Sequence, residues 1–158
     1  MRAKMGLGVL GFTGIMVALA IGFAGSAGGQ GGDDGDLFAQ LRGSHEPDGG
    51  DRNGAGTFSA FVSGRRLCYA YTVNRIQDPV AAHIHRGRAG RNGPVVIPLD
   101  TPDSGSPGTF ADCTTASRRL LRQIQRSPGS FYANVHTQDF PNGAVRGQLF
   151  HPTSRQDR

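Results

Sequence analysis

The chain has no tryptophan, one lysine (Lys4), one glutamate (Glu46) and two cysteines in 158 residues. A single glutamate among loop-borne aspartates leaves no paired-carboxylate spacing of the kind glycoside hydrolysis uses. Two cysteines outside any CxxC cannot build a zinc site alone. Ser63, Ser104, Ser117 and Ser127 fall in turns or on an expected helix, with no nucleophile-elbow pattern around them. Neither a Walker-type phosphate loop nor a dinucleotide fingerprint is present. With lysine nearly absent, the basic residues are arginines, and the formal charge is +5. Without Arg2 and Lys4, which lie in an expected leader, it falls to about +3. That excess, with no strand interleaving aromatic and basic residues, excludes a nucleic-acid partner from the readings pursued below.

What is present begins with a targeting signal. Arg2 and Lys4 precede an uncharged, mostly apolar run from Met5 to Ala24, and Ala24-Gly25-Ser26-Ala27 supplies small residues at its exit. This reads as a secretory signal peptide, residues 1–27, cleaved after Ala27. The alternative is an uncleaved membrane anchor over residues 5–24, since the run is near bilayer length. In either case the remainder is expected outside the cytoplasm, secreted or tethered. Residues 28–36 form a Gly/Asp linker with nothing to bury. In an oxidising compartment the two cysteines permit one pairing, a structural disulfide between Cys68 and Cys113.

From Leu37 the chain reads as short strands. Leu37 to Arg42 is a first candidate, and Ser44 to Gly56 is dense in turn formers. Phe58, Ala60 and Val62 alternate with polar neighbours, and Leu67, Tyr69, Tyr71 and Val73 alternate more cleanly. Tyr69, Tyr71, Phe131 and Tyr132 are expected in or at the edge of the core. Asp100 to Gly108 reads as a polar loop, and Thr115 to Arg126 as one short helix. Ala116, Leu120, Leu121 and Ile124 give that helix an apolar side, while Arg118, Arg122 and Arg126 form a stripe opposite. The stripe reads as a solvated face, or as a contact for acidic lipid headgroups. Phe131 to Thr137 and Ala144 to Phe150 are the last strands, joined through Pro141-Asn142-Gly143. Residues 151–158 form a polar tail. Many short strands and one helix predict an all-β fold, an antiparallel β-sandwich.

Two stretches organise this domain: AAHIHRGRAGRNGPVVIPL, Ala81 to Leu99, and FYANVHTQDFPNGAVRGQLF, Phe131 to Phe150. Together, and with weaker support from LFAQLRGSHEP at Leu37 to Pro47, they resemble the CHRD domain. That module is named for the repeats of chordin and also occurs alone in secreted bacterial proteins. The resemblance spans residues 37–150. It implies an all-β, immunoglobulin-like fold and no established catalytic activity. One departure stands out: many members have an acidic residue before Val-Arg-Gly, where this chain has Ala144, so a salt bridge or ligand from there would be missing. On the H-x-H alone the chain also resembles copper/zinc superoxide dismutase, a superoxide-dismutase-like sandwich. The larger histidine set, bridging ligand and zinc-binding aspartate of that enzyme have no counterpart here, His45 and His151 falling in a turn and the tail.

Residues two apart on a strand share a face, so His83 and His85 project together, away from Ile84. His136 lies opposite Val135. If Ile84 and Val135 face the core and the strands are neighbours, three imidazoles converge as a copper or zinc site. Otherwise these rings are hydrogen-bonded spacers beside glycine turns. Arg86, Arg88 and Arg91 stud the Gly-rich turn after His85. They are either a solvated loop or a holder for an anionic partner such as a sulfated or phosphorylated glycan. Arg146 is expected to pair with an aspartate such as Asp139.

The sequence therefore leads to an extracytoplasmic, non-catalytic CHRD-like domain that binds an extracellular protein or an anionic surface polymer. A copper- or zinc-binding protein using His83, His85 and His136 is the alternative, and a purely structural envelope module is the third. Membrane contact is expected only through an uncleaved N-terminal segment.

Overall fold

Alternation of apolar and polar residues fixes which side of each strand is buried. In β1 (Asp36–Arg42) Leu37, Ala39 and Leu41 are buried; in β2 (Ala55–Ser63) Phe58, Ala60 and Val62; in β3 (Arg66–Asn74) Leu67, Tyr69, Tyr71 and Val73. The remaining strands are β4 (Pro79–Arg86), β5 (Val95–Leu99), β6 (Thr109–Thr115), β7 (Phe131–Thr137) and β8 (Val145–Gln148). The computed structural model describes residues 35–102 and 108–152. The expected leader and most of the linker lie outside the described residues, as do residues 103–107 and the tail beyond Pro152.

The eight strands form one antiparallel sheet in the order β5-β4-β7-β8-β1-β2-β3-β6. It curls over a single apolar core, nearly barrel-like, so that β5-β4-β7-β8 faces β1-β2-β3-β6. Two tyrosines tie the curl. Tyr71 Oη donates to the carbonyl of Asp100, just past β5, at 3.2 Å, and the Asp100 N–H donates to Tyr69 Oη at 2.7 Å. Strand β1 and the residues just past β8 meet in the middle of the order, where Phe38 and Phe150 form a backbone bridge. The core joins Leu37, Phe58, Leu67, Tyr71, Ile84, Ile97, Leu121, Ile124 and Phe131. Burying each of the aliphatic side chains contributes about 1.5–3 kcal/mol.

The helix begins later than its apolar spacing predicts. Thr109 to Thr115 is a strand, paired with β3 from Thr72↔Thr109 to Arg66↔Thr115, and α1 is Arg118–Arg126. As an edge strand β6 buries none of its residues fully, so it carries no hydrophobic alternation to read. Ser117 then caps the helix, its Oγ accepting from the Leu120 N–H at 3.2 Å. Cys68 and Cys113 stand opposite each other in the β3–β6 ladder with Cα atoms 3.9 Å apart, and they are joined by the expected disulfide.

Strand β7 differs from every other strand: all seven residues are buried. Phe131, Ala133 and Val135 enter the apolar core, while Tyr132, Asn134 and His136 face a second, polar interior. The turn after β4 and the segment between β1 and β2 cover that second interior.

Candidate metal centre

Register brings the three histidines together. β4 and β7 pair antiparallel with His83 opposite Asn134, His85 opposite Tyr132 and Ala81 opposite His136. His136 is thus the diagonal neighbour of His83 on one face. Ile84 and Val135 point into the apolar core, so the imidazoles turn toward the polar interior. One nitrogen from each ring lies within 4.8 Å of the others. His83 Nδ1 is 3.0 Å from His136 Nε2, and the His83 and His85 rings meet edge to face at 5.4 Å. His85 and His136 are buried and His83 is half-buried.

Backbone carbonyls set the ring orientations. Gly93 O lies 2.9 Å from His85 Nδ1, and Pro141 O lies 3.0 Å from His136 Nδ1. A carbonyl only accepts, so Nδ1 of His85 and of His136 carries the proton; His136 Nε2 then accepts from His83 Nδ1, while the lone pair of His85 Nε2 is free. His85 Nε2 is buried and has no hydrogen-bond partner. A metal-binding histidine ordinarily has its other nitrogen anchored in this manner. Burial lowers the pKa of all three: His83 falls to about 4, with its two histidine neighbours adding to the effect, and His85 and His136 fall despite their carbonyl partners. The rings are neutral at pH 7, the state a metal requires. An ion about 2.0–2.1 Å from each nitrogen needs them about 3.4 Å apart, so the widest-spaced pair, within 4.8 Å, would close by at most about 1.4 Å.

Around the histidines the polar interior is built on Tyr132, Arg146 and Glu46. His85 stacks on the Tyr132 ring at 4.8 Å, and the Arg146 guanidinium lies 3.8 Å from the centroid of the same ring. Arg146 is 1% exposed. Its Nη1 donates to Asn92 Oδ1 at 3.1 Å, and its Nη2 donates to the carbonyls of Arg91 at 2.9 Å and Arg88 at 3.4 Å. Its carboxylate neighbour is Glu46, at 3.9 Å, and the expected pairing with Asp139 does not form. Asp139 instead accepts from Gln77 Nε2 at 2.6 Å, beyond the end of β7. The partners of Arg146 come from loops, which strand parity does not describe. The carboxylate for Arg146 arrives from the β1–β2 segment.

Glu46 is held in an unusual state. Its Oε1 is buried without a hydrogen-bond partner, and burial outweighs the attraction of Arg146 to push its pKa up to about 7. Asp48 contributes to that rise. Gly143 has φ +135°, and a Cβ there would overlap Glu46 Oε1, which is why the last hairpin turns through glycine at this point.

The arginine turn contributes its backbone to this interior and its side chains to the surface. The carbonyls of Arg88 and Arg91 hold Arg146, whereas both side chains are exposed. Arg86 lies over the Phe131 ring at 4.7 Å and donates to Gln123 Oε1 at 2.9 Å, away from the other two. Arg118, Arg122 and Arg126 are exposed on α1. His45 and His151 are not loose: Nδ1 of His45 meets Arg146 O at 3.2 Å, and His151 bridges the carbonyls of Asp36 and Gln125. Sequence reasoning missed Glu46, Tyr132 and Asn134 as parts of the polar interior. The one available signal was that the chain's only glutamate lies in a turn-rich segment.

An all-β antiparallel domain with a polar second interior under a Gly/Arg turn is thus the class that fold and site define. The CHRD-domain family model matches residues 37–149, and the chain belongs to the CHRD family. No curated protein and no solved structure matches it. The family is an extracellular type of domain, and the disulfide accords with an oxidising compartment. Among the described residues no helix is long and apolar enough to cross a membrane.

Proposed function

We propose that this CHRD domain is an extracytoplasmic binding protein that holds one transition-metal ion, copper or zinc, on His83, His85 and His136. The observation that carries the reading is the buried, unpartnered Nε2 of His85, aimed into a group of three imidazoles whose ligand atoms lie within 4.8 Å. Two of the rings are anchored from behind by carbonyls. A hydrogen-bonded spacer role accounts for those anchors, but it leaves a buried nitrogen without a partner, which costs about 1–3 kcal/mol.

The test is metal content. The purified chain, disulfide intact, is loaded with copper or zinc, dialysed and assayed by mass spectrometry beside a His83→Ala/His136→Ala variant. About one equivalent retained by the first and none by the second supports the site. Equal retention by both, or none by either, rejects it.

A second activity rests on a separate observation. Arg88 and Arg91 are exposed on a turn whose carbonyls are clamped by a buried guanidinium, so two cations are presented on a fixed backbone. We propose an anionic surface polymer, such as a sulfated glycan, as the partner of this turn. Salt-dependent retention on a sulfated polysaccharide matrix, lost in Arg88→Ala/Arg91→Ala, is the expected result. Retention unchanged by that double substitution overturns it.

A further inference from the structure

The three-histidine group is unusual in what surrounds it. Among the described residues the ligand set contains no carboxylate and no thiolate, and both cysteines are committed to the β3–β6 disulfide. The two anchors behind the rings are neutral carbonyls of Gly93 and Pro141. A formal charge lies beside the group, the guanidinium of Arg146, 3.8 Å from the centroid of the Tyr132 ring. It reaches His85 through Tyr132, whose ring lies against both. Glu46, 3.9 Å from Arg146, offsets part of that cation, and Asp48 is tied to Asn92 next to it.

From this arrangement we infer that the site selects monovalent copper over divalent zinc or copper, with Arg146 as the residue that sets the preference. The inference rests on the metal-site reading above and adds the charge and identity of the ion. The self-energy of burying an ion rises with the square of its charge, so a dication costs about four times what a monocation does before its ligands compensate. Neutral nitrogens do not cancel the second charge, and a neighbouring guanidinium repels a dication about twice as strongly as a monocation. Three ligands complete the shell of a monovalent copper ion, whereas zinc on three histidines needs a water as its fourth ligand, which this covered interior must admit. Imidazole serves copper and zinc alike, so ligand type alone would not separate them.

Affinities of the full chain are measured at pH 8 by competition, for Cu(I) under a reductant that leaves the disulfide intact and for Zn(II) and Cu(II) without it. The same measurements are made on Arg146→Gln and on Glu46→Gln. Cu(I) is expected to bind at least about 100-fold more tightly than Zn(II), and more tightly than Cu(II). Arg146→Gln is expected to narrow the gap to Zn(II) by about tenfold, and Glu46→Gln to widen it. The two variants move in opposite directions, so the second still decides if the first fails to fold. Zn(II) or Cu(II) binding as tightly as Cu(I), lost on removing the histidines, overturns the selectivity and leaves the three-histidine site standing. Stoichiometric binding of none of the ions overturns both. A gap that neither substitution moves overturns the role of Arg146.

Discussion

Replacing Glu46 with glutamine tests the balance of forces that holds the polar interior together. The Glu46 side chain is 4% exposed, one oxygen has no hydrogen-bond partner, and Arg146 stands 3.9 Å from the other. Two effects compete. Desolvation disfavours the carboxylate, while the guanidinium favours it, and a pKa raised from 4.5 to about 7 says that desolvation wins. A carboxyl whose pKa is higher folded than unfolded contributes stability that is fully present below the unfolded value. That contribution is lost as pH rises through the folded value. The window is therefore from about 4.5 to about 7. For a fully dry carboxyl the rise would be worth about 3 kcal/mol; allowing for screening by nearby solvent, about 2 kcal/mol is expected. Glutamine keeps the shape and cannot ionise. Urea unfolding of the wild type and Glu46→Gln at pH 4 and pH 8, disulfide intact, gives a double difference in which all other titrating groups cancel. The variant should gain about 2 kcal/mol on the wild type between those pH values. No gain, or a loss, would mean that the ion pair outweighs burial and that the account of this interior is wrong.

The Cys68–Cys113 bridge closes 45 residues, so Cys68→Ala/Cys113→Ala should lose up to about 4 kcal/mol in urea unfolding; an unchanged midpoint would show that the ladder alone holds β6. In Gly93→Ala the added Cβ overlaps the Arg86 carbonyl. Moving that turn withdraws Gly93 O from His85, so affinity for the preferred metal should fall about 10–100-fold, and calorimetric titration showing full affinity would refute the anchoring role. Both nitrogens of His151 face carbonyls, at 3.0 Å and 2.6 Å, which requires the imidazolium, and its pKa is accordingly raised above 6.5. Its contribution is present below 6.5 and lost as pH rises through the raised value. Thermal unfolding of His151→Ala should thus converge on the wild type toward pH 8.5, and a gap that widens with pH would contradict the double-donor geometry.

Much of the fold was legible because it rests on short-range alternation. Phe58, Ala60 and Val62, and Leu67 to Val73, gave the buried sides of β2 and β3 directly, and the cysteines had one partner each. Strand β6 was not legible. Thr109 to Thr115 lies on an edge, so its residues are not sorted by burial, and only its pairing with β3 and its disulfide make it a strand. The helix start followed the same fault: Thr115 suits a helix, but the strand claims it, and Ser117 provides the cap. At the site, parity of Ile84 and Val135 predicted where the three histidines point, and the β4–β7 register brings them together. What the sequence could not supply was depth. Strand parity distinguishes two faces, not which of them a loop covers, so the burial of Arg146 beneath the arginine turn had no local signature.

That covering explains why one strand in a small domain has no exposed face. β7 sends Phe131, Ala133 and Val135 into a core held by apolar contact, and Tyr132, Asn134 and His136 into an interior held by hydrogen bonds and one buried cation. Apolar packing tolerates small slips of side chains, because dispersion has little direction. A network of directed bonds does not, since each misplacement strands a buried polar group. Arg146 draws in Asn92 and the carbonyls of Arg88 and Arg91, and the turn so fixed carries Gly93 to both His85 and the Tyr132 hydroxyl. Pro141, in the other hairpin, does the same for His136. The Gly/Arg turn is thus fastened from beneath by a residue from the second hairpin. This is why the two conspicuous stretches of the sequence occur together: the first holds two histidines of the cluster and the second holds one, and Arg146 from the second fastens the turn that orients His85 of the first.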